Sequence, residues 1–351
     1  MELRPEPAEL EHEDVSRLLL EHLDSRASWQ RSITALRSAL IPLIDSAERE
    51  LDDESMGALW ATFIIFLSHT GLCSPERKER LFREAQEMGL HVFPAYYSSP
   101  LPDTRRLPDG LWANELDARA LGIDEAAGLK FLARCSGYVP ELDEVGTAYA
   151  WDNPEFNRLD APLYYAVLRA LVPRRVYEVG SGHSTVLAAF AAERNATTRI
   201  TCIDPDPRRE VEGLTCVEDH IPLPVQETGL GMFDSLEAGD VLFVDSSHVS
   251  RIGSDVNRIV LEVLPRLAPG VVVHFHDIFL PWEYPRHWVM DHHHFWNEQY
   301  LLAAFLLGNR DWEVLFAAHY MARRHSSEVC SALRAEDLEG AAGSSFWMRR
   351  R

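Results

Sequence analysis

The sequence predicts an α/β domain built on a mostly parallel sheet, with an α-helical extension before it. Three observations carry this. After Asp160, short apolar runs alternate with helical stretches, the rhythm of a sheet covered by helices on both faces. The first of these runs leads into a glycine turn, Gly180-Ser181-Gly182, that opens a helix. Three of the runs end in an acid, Asp204, Asp245 and Asp277, and in open parallel sheets ligands bind beyond the carboxyl ends of the strands.

In chain order, residues 1–90 read as the helical extension. Leu18, Leu19, Leu20, Leu23, Ile33, Leu36, Leu40, Ile41 and Ile44 recur at three- and four-residue spacing, and Ser74-Pro75 opens a further helix. The most apolar early stretch, Ala58–Leu67, is about half the length of a membrane span and reads as a buried helix. Residues 91–160 are rich in aromatics and prolines and read as linker, lid and substrate-side loops. Tyr96, Tyr97, Asn153 and Phe156 are its lid candidates. From 161 to 351 the chain reads as the catalytic-type domain. Asp160 is placed to cap a helix over 161–171. The strands are expected at 175–179, 199–203, 240–244 and 270–274, with helices over 184–193 and 255–267. Residues 312–320 and 344–348 are expected to close the sheet as an antiparallel pair.

Composition narrows the function classes. The 351 residues carry 55 acidic and 34 basic side chains, a formal net charge of -21. Nucleic acid needs a basic surface to neutralise phosphates, so no nucleic-acid partner is expected. Five cysteines without a CxxC pair suggest neither a disulfide framework nor a cysteine zinc site. The first residues lack the apolar core of a signal peptide. The expectation is a reduced, cytoplasmic protein with no membrane association.

Glycines at 180 and 182 let the backbone turn tightly against a ligand. Asp204 follows Gly182 by 22 residues, at the end of the next strand, where a carboxylate can accept hydrogen bonds from ribose hydroxyls. Taken together, Glu178-x-Gly180-x-Gly182 and Asp204 resemble the first two motifs of the class I S-adenosylmethionine (SAM) methyltransferases. The resemblance covers about half the chain and implies the Rossmann-like methyltransferase fold with an antiparallel last strand. It implies SAM as cofactor, with Glu178 toward its methionine part, Gly180, Ser181, Gly182 and Ser184 in the cofactor turn, Asp204 at the ribose, Gln226 near the adenine and Asp245 at the reacting end.

The second half of the resemblance is to metal-dependent catechol-type O-methyltransferases, which hold acids at the same two strand ends as Asp245 and Asp277. Asp245, His276 and Asp277 are therefore the expected ligands of magnesium or another divalent metal. His248, three residues after Asp245, stands where those enzymes place a lysine base, and an imidazole suits proton removal near neutrality. Longer runs, Phe243-Val-Asp245-Ser-Ser-His248 and His276-Asp277-Ile-Phe-Leu-Pro281-Trp282-Glu283-Tyr284-Pro285, resemble a bacterial methyltransferase subgroup whose substrates are poorly defined. They continue into Phe295-Trp-Asn-Glu298-Gln-Tyr300. The implied acceptor is a small molecule, natural product or glycan, with Trp282, Glu283 and Tyr284 lining its pocket. The N-terminal helices are the expected surface for a homo-oligomer. Two alternatives stay open: a nicotinamide-dependent oxidoreductase, which shares the glycine turn, and a non-catalytic scaffold of the same fold. His274, and the run Asp291-His292-His293-His294, are expected to pack or to be solvated rather than to bind metal.

Overall fold

The computed structural model describes residues 97–351, together with 83, 86 and 91, except for 157–158, 209–210, 212 and 336–342. The chain divides into two compact units, Met1–Pro100 and Leu101–Arg351. The expected helical extension and the Ala58–Leu67 stretch fall almost wholly outside the described residues, and the described strands all belong to the second unit. No helix among the described residues is long and apolar enough to cross a membrane.

The stretch expected as linker and loops contributes a helix, α1 (Glu125–Ser136), capped by the Asp124 carboxylate on the Ala127 amide at 2.8 Å. Helix α2 (Asp160–Leu171) follows. Strand β1 (Arg175–Val179), α3 (His183–Asn195), β2 (Arg199–Ile203), β3 (Val217–Ile221) and β4 (Val241–Val244) come next. A helical run from Asp255 to Arg266 is broken into an α turn (α4, Asp255–Arg258), a π turn and a 3-10 turn, followed by β5 (Val272–Phe275). Then come α5 (Arg286–Met290), α6 (Glu298–Leu306), β6 (Trp312–Ala317), α7 (Ala318–Arg324), α8 (Ser326–Leu333) and β7 (Phe346–Arg350).

The seven strands pair in the order β3-β2-β1-β4-β5-β7-β6. All pairings are parallel except those of β7, which runs antiparallel between β5 and β6. This is the expected Rossmann-like sheet with its antiparallel last strand. The strands at its centre, β4 and β5, are buried at every position, as parallel strands with helices on both faces must be. Strand β3 was not expected. Its sequence, Val-Glu-Asp-His-Ile, shows neither an apolar run nor clean alternation, because it sits at the sheet edge, where charge blunts further pairing.

Two expectations at the strand ends change for identifiable reasons. Asp240 lies just before β4. Its carboxylate accepts the amides of Arg174, Arg175 and Glu237 at 2.8–3.1 Å, tying the start of β1 to the start of β4. Asp160 does not cap its own helix. It lies within α2, and its carboxylate accepts the backbone amides of Ser344 and Ser345 at 2.8–3.1 Å, which fixes the entry to β7. Those amides precede a strand and have no ladder partner of their own, so a buried carboxylate satisfies them better than a helix end that water can reach. The centre of the sheet is an aromatic stack. The His274 ring lies flat on Phe243 at 4.1 Å, with Tyr164 and Trp347 packed around the pair. His274 is thus a core residue, bonded to Ser345 Oγ at 2.9 Å, and burial pushes its imidazole well below its usual range.

Replacing Asp160 by alanine leaves two buried amides without an acceptor. We expect this to cost about 2–4 kcal/mol in urea-induced unfolding, with faster amide exchange confined first to Ser344 and Ser345. Exchange at those two amides equal to wild type would show that the carboxylate does not hold them.

Candidate active site

The mouths of β1, β2, β4 and β5 open into one cleft of about 1040 Å³. Its first end is the glycine turn. Gly180 has φ +86°, and a Cβ there would lie 2.0 Å from the Asp245 carbonyl oxygen, so only glycine lets the β1 turn pass the end of β4. The turn is held from β2: Asp204 Oδ2 accepts the Ser181 amide at 2.8 Å and its hydroxyl at 2.7 Å, while Oδ1 accepts the Asp206 amide. Asp204 Oδ1 thus carries one hydrogen bond and retains a lone pair for a ligand hydroxyl. Gly182, Ser184, Asp204 and Asp206 all line this end.

Glu178 and Gln226 are not brought to the cleft wall. Glu178 is fully buried beneath the turn, where it accepts the Tyr164 hydroxyl at 3.0 Å. Burial pushes its carboxyl up to about 7, against hydrogen bonds from Thr185, Tyr164 and Ser184 that favour the charged form. Gln226 is exposed, in a 3-10 turn after β3. Three residues that the sequence reading did not single out as site residues meet across this end instead. Arg208 forms a two-pronged pair with Glu155 at 2.6 and 2.7 Å, and His183 lies 3.5 Å from the same carboxylate.

The middle of the cleft gathers carboxylates and imidazoles. Asp245, His248 and Asp277 each present a ligand atom, all within 4.8 Å of one another. His248 Nε2 lies 3.3 Å from Asp245 Oδ1 and 3.6 Å from Asp277 Oδ2. Its other nitrogen, Nδ1, meets the buried Glu298 carboxylate at 2.9 Å. Both histidines stand at nearly equal distances from the two aspartates, and His248 is the one whose ring nitrogen completes this three-atom grouping. His276 still lines the cleft, with Nδ1 3.4 Å from Asp277 and 3.7 Å from Asp245. Its Nε2 turns toward Ser344 Oγ at 3.3 Å and Asp160 at 3.8 Å.

Two backbone features hold this group. His248 and Asp277 both sit in the left-handed region, at φ 59° and 58°. That conformation costs a side-chain-bearing residue about 1–2 kcal/mol and persists only where neighbours enforce it. For His248 the neighbours are the amides of Asn297 and Glu298, both donating to its carbonyl at 3.1 Å, with the Trp296 ring against its imidazole at 4.4 Å.

The electrostatics call for positive charge here. Burial pushes the Asp245 carboxyl up, but the nearby charges of His276 and His248 outweigh it and hold the group well below the usual carboxylate range. Burial pushes the His248 imidazole down, yet its bonds to Asp245 and Glu298 and the charge of Asp277 outweigh that and raise it to about 10. His276 is likewise held well above its usual range, burial being overcome by Asp277, Asp245 and Asp160. Four carboxylates therefore surround two imidazoles.

Beyond this group the wall is aromatic: Trp112, Phe279, Trp282, Tyr284, Trp288 and Trp296. Trp282, Glu283 and Tyr284 line the cleft, as does the lid candidate Phe156, whose ring lies 5.2 Å from that of His276. Asn153 instead braces its own loop, accepting the amides of Glu155 and Phe156. Tyr96 lies outside the described residues, and Tyr97 belongs to the first unit. Of the histidine run, His292 and His293 are exposed, and His294 stacks on Trp296 at 4.7 Å.

Glu298 and Asp160 also reach the group of carboxylates and imidazoles without having been singled out for it in the sequence. Glu298 stood in a quoted run without a role. A signal for Asp160 was absent, since its partners lie more than 100 residues away.

Because Glu178 is buried, its folded-state value of about 7 exceeds the ordinary 4.5. A raised carboxyl contributes stability fully present below the unfolded value and lost as pH rises toward the folded one. Stability should therefore fall between about pH 4.5 and 7, by on the order of 1.4 kcal/mol per pH unit from this group alone. Glu178→Gln should flatten that slope in urea titrations run at successive pH values. An unchanged slope would show that Glu178 is charged in the folded protein throughout.

Residues 177–278 match a family model described as a methyltransferase domain. A protein of Archaeoglobus fulgidus, described only as uncharacterized, is 31% identical over 170 residues, which cover 43% of this chain and 76% of that one. Among solved structures, the O-methyltransferase TomG from Streptomyces achromogenes, involved in tomaymycin synthesis and in complex with SAM, is similar at 16% identity and a TM-score of 0.36, over 66% of this chain and 92% of that one. The O-methyltransferase from Bacillus cereus in complex with SAH is similar at 13% identity and a TM-score of 0.34, over 62% of this chain and 90% of that one.

Proposed function

We propose that this chain, whose residues 177–278 match a methyltransferase-domain family model, is a class I SAM-dependent methyltransferase that methylates a hydroxyl of a small-molecule, natural-product or glycan acceptor. One observation carries the choice of oxygen: Asp245, His248 and Asp277 converge in the middle of the cleft whose first end holds the glycine turn. A hydroxyl must lose its proton to attack well and keeps a low acidity until the moment of transfer, and a carboxylate–imidazole group is suited to taking that proton.

The residues present fit the cofactor. The turn admits close approach, and Asp204 keeps acceptor capacity for hydroxyls. SAM, when bound, supplies the electrophilic methyl group. The protein's part is to fix that end of the cleft through Ser181 and Asp204 and to hold the acceptor oxygen in line with it. Glu178, buried below the turn, acts on the cofactor only through Ser184, Thr185 and ordered water. Gln226 would reach the adenine only with movement of the loop after β3.

The residues also fit a divalent cation. Two carboxylates and one imidazole suit magnesium, manganese or a later metal, and the excess of carboxylate over imidazole around them favours added positive charge. Asp245, His248 and Asp277 would hold it, with His276 beside them, and it would lower the acceptor hydroxyl's proton affinity. Glu298, bonded to His248 Nδ1, fixes the ring so that Nε2 faces the two aspartates, the usual arrangement behind a metal-binding histidine.

A second reading has its own observation. The Glu298–His248 pair also has the geometry of an oriented general base, with Nε2 directed toward Asp245 and Asp277 at the cleft. Against the effect of burial, the surrounding carboxylates raise the proton affinity of this imidazole, and a cation held among them would lower it again, so the two readings differ in whether turnover requires the metal.

Two measurements test these readings. Calorimetry should show binding of SAM and SAH, and Asp204→Ala should weaken it by at least about 1 kcal/mol, roughly fivefold in Kd. Wild-type protein that binds NAD and ignores SAM overturns the proposal. Separately, titration with manganese should show saturable binding that Asp245→Ala and Asp277→Ala abolish and Glu298→Gln weakens by about 10–100-fold. If turnover survives complete chelation while His248→Ala lowers it by about 10²–10⁴-fold, the base reading replaces the metal one.

A further inference from the structure

We propose that the wall of the cleft formed by Trp282, Arg323, Trp112 and Arg286 binds an oxyanion carried by the acceptor, so that the acceptor is a ring-bearing carboxylate or phosphate. This deepens the methyl-transfer reading and rests on it for the placing of the cofactor at the opposite end.

The sheet order sets the geometry. The cofactor turn and Asp204 follow β1 and β2, and Asp245 and Asp277 follow β4 and β5. Arg286 and Arg323 lie on segments that follow β5 and β6, farther along the same row of strand ends. Both line the cleft. An acceptor that reaches from Asp245 away from the cofactor meets this wall.

The two arginines differ from their neighbours. Arg208, at the cofactor end, is paired with Glu155, and Arg324, next to Arg323, is paired with Glu115 at 2.7 and 2.9 Å. Arg286 and Arg323 have no carboxylate within 4.0 Å and no hydrogen-bond acceptor among the described residues. In a chain with 55 acidic and 34 basic residues, a surface guanidinium has many carboxylates to choose from. Both are held against aromatic rings instead. The Arg323 guanidinium carbon stands 4.0 Å from the Trp282 ring centre, and that of Arg286 stands 5.4 Å from Trp112. A guanidinium held over an indole face keeps its planar N–H fork, which can receive a carboxylate or phosphate through two parallel hydrogen bonds.

Two further features agree. Glu283, the acid on this stretch of wall, has its Oε1 engaged by the Tyr300 hydroxyl and the Tyr284 amide, and among the described residues it forms no ion pair with either arginine. Trp288 and Trp296 add ring faces to the same cleft, on which a planar or glycosyl ring can stack.

The test uses three probes of one shape: benzoate, phenyl phosphate and neutral benzamide, followed by quenching of tryptophan fluorescence. Both anions should bind at least about tenfold more tightly than benzamide, with phenyl phosphate against benzoate reporting which oxyanion is preferred. Arg323→Gln and Arg286→Gln should each weaken the better anion by about three- to tenfold, and the double variant should bind it no better than benzamide. Arg323→Lys should recover only part of the loss, since an ammonium lacks the fork. Benzamide binding as tightly as the anions, anion binding unchanged in the double variant, or no saturable anion binding up to about 10 mM would each overturn the proposal. SAH binding is read by calorimetry on the same preparations. Its failure in wild type sinks the methyl-transfer reading, whereas its presence beside an absent anion preference sinks this inference alone.

Discussion

A backbone oxygen decides where this active site can be. The Asp245 carbonyl, at the end of β4, occupies the space a Cβ at position 180 would need, so the turn leaving β1 and the carboxylate-bearing end of β4 are in contact through a glycine. That contact sets the separation between the two ends of the cleft. The parallel pairing of β1 with β2 and β4 fixes it from below, and the Asp240 staple fixes the opposite ends of β1 and β4. Side chains at the mouths of these strands therefore inherit their spacing from the sheet rather than from flexible loops, the condition under which a reacting geometry is held to within fractions of an ångström.

On that frame the chain assembles a group of charges that no pair of its members explains. Asp160, Asp245, Asp277 and Glu298 approach His248 and His276 from α2, β4, β5 and α6. Burial alone would neutralise each of them. Together they keep the aspartate at position 245 charged and load the imidazoles with protons, because the carboxylates outnumber the rings. A protonated histidine and a metal ion answer the same deficit of positive charge, and the two left-handed residues, His248 and Asp277, are where the backbone is bent to bring the groups that close.

Much of the fold was legible in the sequence because its signals are local. β1 and β2 fall on the expected residues, since an apolar run between an arginine and a turn has one reading. The glycine turn, Asp204, Asp245 and Asp277 were legible for the same reason: each stands at the end of such a run. What failed to show depends on contacts made at a distance. β3 is an edge strand with no apolar signature. Asp160 looked like a helix cap because caps are local, while its partners in the folded chain are amides near the far end of the sequence. Glu298 is recognisable only once β4 and α6 are side by side. His248 and His276 were likewise inseparable by spacing, as both lie within three residues of an acid, and in the fold both stand 3.3–3.7 Å from Asp245.

Strand β7 lies between β5 and β6 and is the last strand in the order of synthesis. When a growing chain has extended only as far as β6, that strand has nothing to pair with, because its sole neighbour in the sheet has not yet been made. Ser344 and Ser345, which meet His276, Asp277, His274 and Asp160, arrive with the same segment. The sheet from β3 to β5 can thus form while the chain is still on the ribosome, but the reacting centre stays open on one side until the closing strand emerges. Translation order therefore places completion of the site after the strands from β1 to β5 have been made, so a nascent chain can carry the glycine turn well before it carries a finished reacting centre.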